Sequence, residues 1–88
     1  MDDFGAFFVS IKVLDKEVKP KYIIRENLGI PIANGIQIYE TCDEECELVT
    51  IHTVREVFPE IDQFLMMNEN DKFELFYEDD MFIEFRDF

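Results

Sequence analysis

The chain has no tryptophan, a single histidine (His52) and a single serine (Ser10), and its 8 lysines and arginines face 21 aspartates and glutamates. The shortage of bases excludes most. At a formal net charge of −13 the surface repels phosphate backbones and anionic membranes, so direct contact with nucleic acid or membrane is not expected. Glycine is scarce as well: Gly5, Gly29 and Gly35 stand far apart, and no glycine-rich loop that cradles a phosphate can be built from them. No apolar run approaches the ~20 residues of a membrane span. The opening Met1-Asp2-Asp3 lacks the positive flank of a secretory leader, which makes a cytoplasmic protein the expectation. Two cysteines are too few for a disulfide framework.

What is present is unevenly spread. Residues Met1 to Tyr39 hold five acids and five bases, whereas Glu40 to Phe88 hold sixteen acids and three bases, Arg55, Lys72 and Arg86. The whole net charge lies in the second half, together with eight of the thirteen aromatics. An acidic disordered tail would be poor in aromatics. With 48% apolar residues the chain is instead expected to fold as one small domain, its acids on the surface because unpaired buried carboxylates are very costly.

The hydrophobic pattern predicts the order β-α-β-β-α-β-β. A first strand is expected over Phe4–Leu14, where Phe7, Val9, Ile11 and Val13 alternate. Pro20 opens an expected helix to Leu28, with Gly29 ending it. Ala33, Asn34 and Gly35 make a turn. Strands over Ile36–Thr41 and Leu48–Thr53 are then joined as a hairpin by the acidic loop from Cys42 to Glu47. A competing helix starts near Thr53, where Thr53 and Glu56 fit a capping box and Val54, Val57, Phe58, Ile61 and Leu65 keep helical spacing. Pro59 interrupts it, so the preferred helix is Pro59–Met67. Phe73–Tyr77 and Met81–Arg86 form the clearest hairpin. One face gathers Phe73, Leu75, Tyr77, Met81, Ile83 and Phe85 as core; the other gathers Glu74, Phe76, Glu78, Phe82, Glu84 and Arg86. The fold class is α+β: a mainly antiparallel sheet of about five strands, two short helices on one face.

No catalytic constellation emerges, and no enzyme is expected. Cys42, Cys46 and His52, with Asp43 and Glu45 nearby, have zinc-ligand chemistry, but the spacing Cys-x3-Cys-x5-His has no second pair to complete a structural site. Two thiols flanking a hairpin loop are the simpler reading, and His52 is a surface or partly buried strand residue. Acids around the thiols raise their pKa, which opposes nucleophilic chemistry with His52. Asn68-Glu69-Asn70-Asp71 lacks the glycine and terminal glutamate of a calcium loop. No metal or cofactor is expected.

The acids are the remaining signal. The candidate partner-binding residues are Asp43, Glu44, Glu45 and Glu47 on one loop, and Glu74, Phe76, Glu78, Asp79, Asp80, Phe82 and Glu84 on the last hairpin. A solvated, solubilising face is the plain reading. Against it stand the concentration of acids in one half and two aromatics set among them, since aromatic anchors inside a charged rim typify binding hot spots. The expected function is an inhibitor or regulator that mimics nucleic acid and occupies a basic, nucleic-acid-binding surface of a partner protein. Small acidic phage-encoded inhibitors of host and defence enzymes share this size and charge as a class, though no motif. The alternatives are a module self-associating as a homodimer through its aromatic hairpin, with Phe76 and Phe82 at the contact, and an immunity-type protein for one basic toxin.

Overall fold

The computed structural model describes residues 4–41 and 45–87. Its strands are β1 (Ala6–Ser10), β2 (Tyr22–Arg25), β3 (Ala33–Tyr39), β4 (Cys46–Val49), β5 (Lys72–Glu78) and β6 (Met81–Asp87), and they form one six-stranded sheet in the order β4-β1-β3-β2-β5-β6. The helices are α1 (Ile11–Leu14) and α2 (Ile51–Val57), followed by a 3-10 segment at Pro59–Gln63. The α+β class holds. The sheet is mixed, however, because β1 and β3 run parallel while every other pair is antiparallel.

Each departure from the sequence pattern has a local cause. The expected first strand stops at Ser10, where its ladder with β4 ends against Cys46. The chain then closes one helical turn, with Asp15 N–H donating to Ile11 O at 2.8 Å, so Val13 is buried from a helix rather than a strand. The expected helix over Pro20–Leu28 is instead β2. Lying between β3 and β5, this strand buries Ile23 and Ile24 on opposite faces, and a strand buried on both faces reads as a continuous apolar run without alternation. Gly29 keeps a positive φ of 72°, in a loop where Asn27 Oδ1 accepts its N–H at 2.8 Å.

The Asn34-Gly35 pair makes a bulge inside β3 rather than a turn before it. The parallel register steps from Ala6↔Ala33 to Phe8↔Gln37, so β3 carries extra residues there. Asn34 holds the irregularity by donating to Phe4 O at 2.7 Å and accepting Ile36 N–H at 2.8 Å. Beside it, Arg25 donates from Nε to Asn34 O at 3.1 Å and from Nη1 to Met67 O at 2.6 Å. One guanidinium thus ties the bulge to the end of the helical layer. The expected hairpin between the strands around Ile36–Thr41 and Leu48–Thr53 is absent, since β1 lies between β3 and β4.

All the helical segments cover one face. Val13, Ile51, Val54, Phe58, Ile61, Phe64 and Met67 form a single buried cluster with Phe7, Val9, Ile23, Ile36, Ile38 and Leu75 from the sheet. His52 lies on the exposed side of α2, correcting its expected place on a strand. The helix expected over Pro59–Met67 contracts to the 3-10 segment, which still begins at the proline. Here α2 takes up the residues of the competing helix reading from Thr53 to Val57. Among the described residues no helix is long and apolar enough to cross a membrane.

Gly35 is the tightest backbone position. Its φ is +88°, and a Cβ there would stand 2.5 Å from Glu26 O, whereas Gly29 has a similar φ and open space around it. Gly35→Ala is expected to destabilise by about 2–4 kcal/mol through the left-handed penalty plus the clash, against about 1 kcal/mol for Gly29→Ala. Urea unfolding of the two variants checks the difference.

Candidate protein-binding surface

The hairpin β5–β6 places most of the candidate residues. Strict alternation would put Phe73, Leu75 and Tyr77 on the helix-covered face and Glu74, Phe76 and Glu78 on the other, and β5 obeys it. On β6 the pairing runs Phe76↔Glu84 and then Tyr77↔Phe82, so Ile83 is a bulge with no opposite residue. Everything between the bulge and the turn changes face. Phe82 therefore belongs to the covered face, correcting its expected position among the acids, while Met81 leaves the core face it was expected to occupy.

A chain of rings fills the covered face. Phe64 lies 4.7 Å from Phe85, 5.8 Å from Phe73 and 5.9 Å from Phe58 between ring centroids. Phe82 meets Phe58 edge-on at 6.3 Å and Tyr77 at 5.9 Å. Tyr77 also donates its hydroxyl to Pro20 O at 2.5 Å. Burial first, and the negative charge of Glu60 second, push the Tyr77 phenol well above the ordinary tyrosine range.

The open face of the same hairpin is charged. Phe76 is half-buried there, with the Arg86 guanidinium stacked 4.7 Å from its ring centre. Arg86 also grips Glu84 through both carboxylate oxygens, at 2.7 and 3.2 Å. That hydrogen bond holds the Glu84 carboxyl below the usual carboxylate range. The only base on β6 is thereby neutralised within the strand, leaving Glu74 and Glu78 on this face and Asp79 and Asp80 at the turn, while Asp87, opposite Phe73, falls on the ring face.

The turn itself is two residues, Asp79 and Asp80, both exposed and both at positive φ, +52° and +64°. Two positive-φ residues between paired Glu78 and Met81 make the tight hairpin turn whose preferred occupants are Asn-Gly. Neither aspartate makes an ion pair among the described residues.

The other candidate acids are elsewhere. Glu45 and Glu47 are exposed at β4, and Asp43 and Glu44 lie outside the described residues, as does Cys42. Three strands separate β4 from β5, which at ~4.8 Å per strand puts Glu45 and Glu47 roughly 20 Å from the hairpin. They do not join its surface. Asp62, on the 3-10 segment, is paired with Arg55 at 2.8 Å. No three His, Cys, Asp or Glu side chains gather as metal ligands among the described residues.

Sequence reasoning missed the exposed apolar rim of β6. Met81 is 72%, Ile83 52% and Phe85 37% exposed, although all three read as core. The one available signal was the unbroken run Met81-Phe82-Ile83, which violates alternation and so marks a bulge. No family model, curated protein or solved structure matches the chain.

The two phenylalanines should separate in their behaviour. Phe82→Ala is expected to cost about 3 kcal/mol, the low end for a truncated core ring, and Phe76→Ala about 1 kcal/mol through its lost cation–π contact; thermal and urea unfolding measure both. Tyr77 carries a pH dependence. Its raised pKa means its contribution to stability is complete below about pH 10 and is lost as pH climbs toward the folded-state value. Tyr77→Phe is expected to lower stability at neutral pH by about 1 kcal/mol and to flatten the decline measured by unfolding above about pH 10.

Proposed function

We propose that this chain is a small acidic inhibitor or regulator that binds a basic surface of a partner protein, of the type built to hold nucleic-acid phosphates. The observation that carries the reading is the Asp79-Asp80 turn. Adjacent carboxylates repel each other, and left-handed backbone costs aspartate more than glycine, though less than most residues. Asn-Gly would remove the repulsion and relieve the backbone cost at position 80. Two exposed acids at the tip of the hairpin thus oppose local stability, and among the described residues they have no ion-pair partner to offset it. Residues that break a local rule without a structural return are where function is sought.

The surrounding electrostatics support the same reading. The hairpin is anchored by buried rings and so holds its acids on a rigid support, as a phosphate-mimicking array requires. Arg86 is occupied by Glu84 and offers no competing positive charge. An acidic array approaching a basic groove gains steering over long distances, which speeds association and makes it sensitive to salt.

The test uses a variant the turn itself suggests. Asp79→Asn combined with Asp80→Gly removes two charges and installs the preferred turn pair, so the fold is retained or stabilised. Immobilised native chain, exposed to lysate of its source cell, is expected to capture one stoichiometric basic protein at low salt and release it at high salt. The double variant should bind that protein about fivefold more weakly, mainly through a slower association rate. Unchanged binding by the double variant, or capture of no basic protein, would refute the proposal.

A further inference from the structure

The outer edge of β6 is a second feature that stability alone does not explain. As the last strand in the sheet order, it has no neighbour on its outer side among the described residues. It is seven residues long, roughly 23 Å at the usual rise, while the opposite edge strand, β4, has four. An edge of this length offers a row of backbone donors and acceptors to any extended chain, and folded proteins normally blunt such edges. This one is apolar. Met81, Ile83 and Phe85 are three of the seven exposed large hydrophobic residues of the described chain. Phe85 also continues the buried ring row outward, since it lies against both Phe64 and Phe73. A side chain added beside Phe85 would extend the core beyond the present edge.

Charge selects the occupant. A second copy would bring −13 against −13 and set one acidic hairpin beside another. A basic segment instead meets a hairpin face on which Glu74, Glu78 and Glu84 outnumber Arg86, itself held by Glu84, with the Asp79-Asp80 turn at its end. Building on the reading of an acidic inhibitor, we propose that β6 takes up an extended segment of the basic partner as a seventh strand, with lysine or arginine alternating with apolar residues. The addition lies along Glu84–Asp87, where the ladder with β5 is regular from Phe76↔Glu84 to Phe73↔Asp87. There the added strand's apolar side chains fall on the Phe85 face and its bases on the Glu84 face. Main-chain hydrogen bonds supply affinity in this mode and alternate side chains supply selectivity.

The probe is a capped eight-residue peptide alternating lysine and valine. Its control is the same peptide N-methylated at alternate backbone amides, which keeps every charge and removes the donors that face the strand. Titration by calorimetry is expected to show the parent peptide binding at least about tenfold more tightly than the control, as loss of several charge-flanked backbone bonds implies. Amide exchange should slow at Glu84–Asp87 when the parent peptide is bound. Equal binding of the two peptides, or protection confined to other strands, would overturn strand addition. So would a dimer of the chain alone in sedimentation at working concentrations, which would assign the edge to a second copy. The two proposals fail separately. If the captured partner is weakened by Asp79→Asn with Asp80→Gly but the N-methylated peptide binds as well as the parent, strand addition falls and the inhibitor reading stands. If neither peptide binds and no basic protein is captured, both fall.

Discussion

The acidic hairpin keeps its shape because Phe64 is buried beneath it. That ring is 1% exposed and touches Phe58 from the helical layer and Phe73 and Phe85 from the hairpin. Burying a phenylalanine contributes about 1.5–3 kcal/mol, and each well-set ring pair about 0.5–1.5 kcal/mol more. The opposing force is repulsion among acids crowded into the second half of the chain. Surface repulsion is weakened by water and salt, whereas ring contacts inside the core are not. On the hairpin the rings hold the acids in place.

This anchoring also explains why the two faces of the hairpin differ so sharply. Rings on one side lock β5 and β6 to the 3-10 segment. On the other side Phe76 is the one ring among the described residues, sheltered by Arg86. The charge that a binding face would use is therefore carried by a strand pair whose position is set from behind, and the acids need no packing of their own to stay in register.

Much of this architecture was legible in the sequence where one face of an element is wet. The β5–β6 hairpin was found because Phe73, Leu75 and Tyr77 alternate with Glu74 and Glu78. Legibility failed where an element is covered on both sides or where a single residue shifts the period. Tyr22 to Arg25 lost its alternation to double burial, and Pro20 with Gly29 framed it like a helix. Asn34-Gly35 carried the chemistry of a turn into a bulge, because Asn34 found backbone partners at Phe4 and Ile36. One extra residue at Ile83 was enough to move Phe82 inward and Met81 outward.

From its sequence alone, the protein was bound to be a strongly acidic α+β chain with its carboxylates at the surface and its charge in the second half, because composition and the cost of burying ions settle those properties without reference to topology. Which acids act together was decided by the tertiary structure. Glu45 and Glu47 are closer in sequence to the centre of the chain than to its end, yet the insertion of β1 between β3 and β4 sends them to the far edge of the sheet. Strand order is a long-range choice among pairings of similar local merit, made by the burial of Ile23, Ile38 and Val9 in one continuous layer. The same choice left β6 at an edge and so exposed Phe85, while the bulge at Ile83 turned Met81 outward, though by pattern alone both belonged inside.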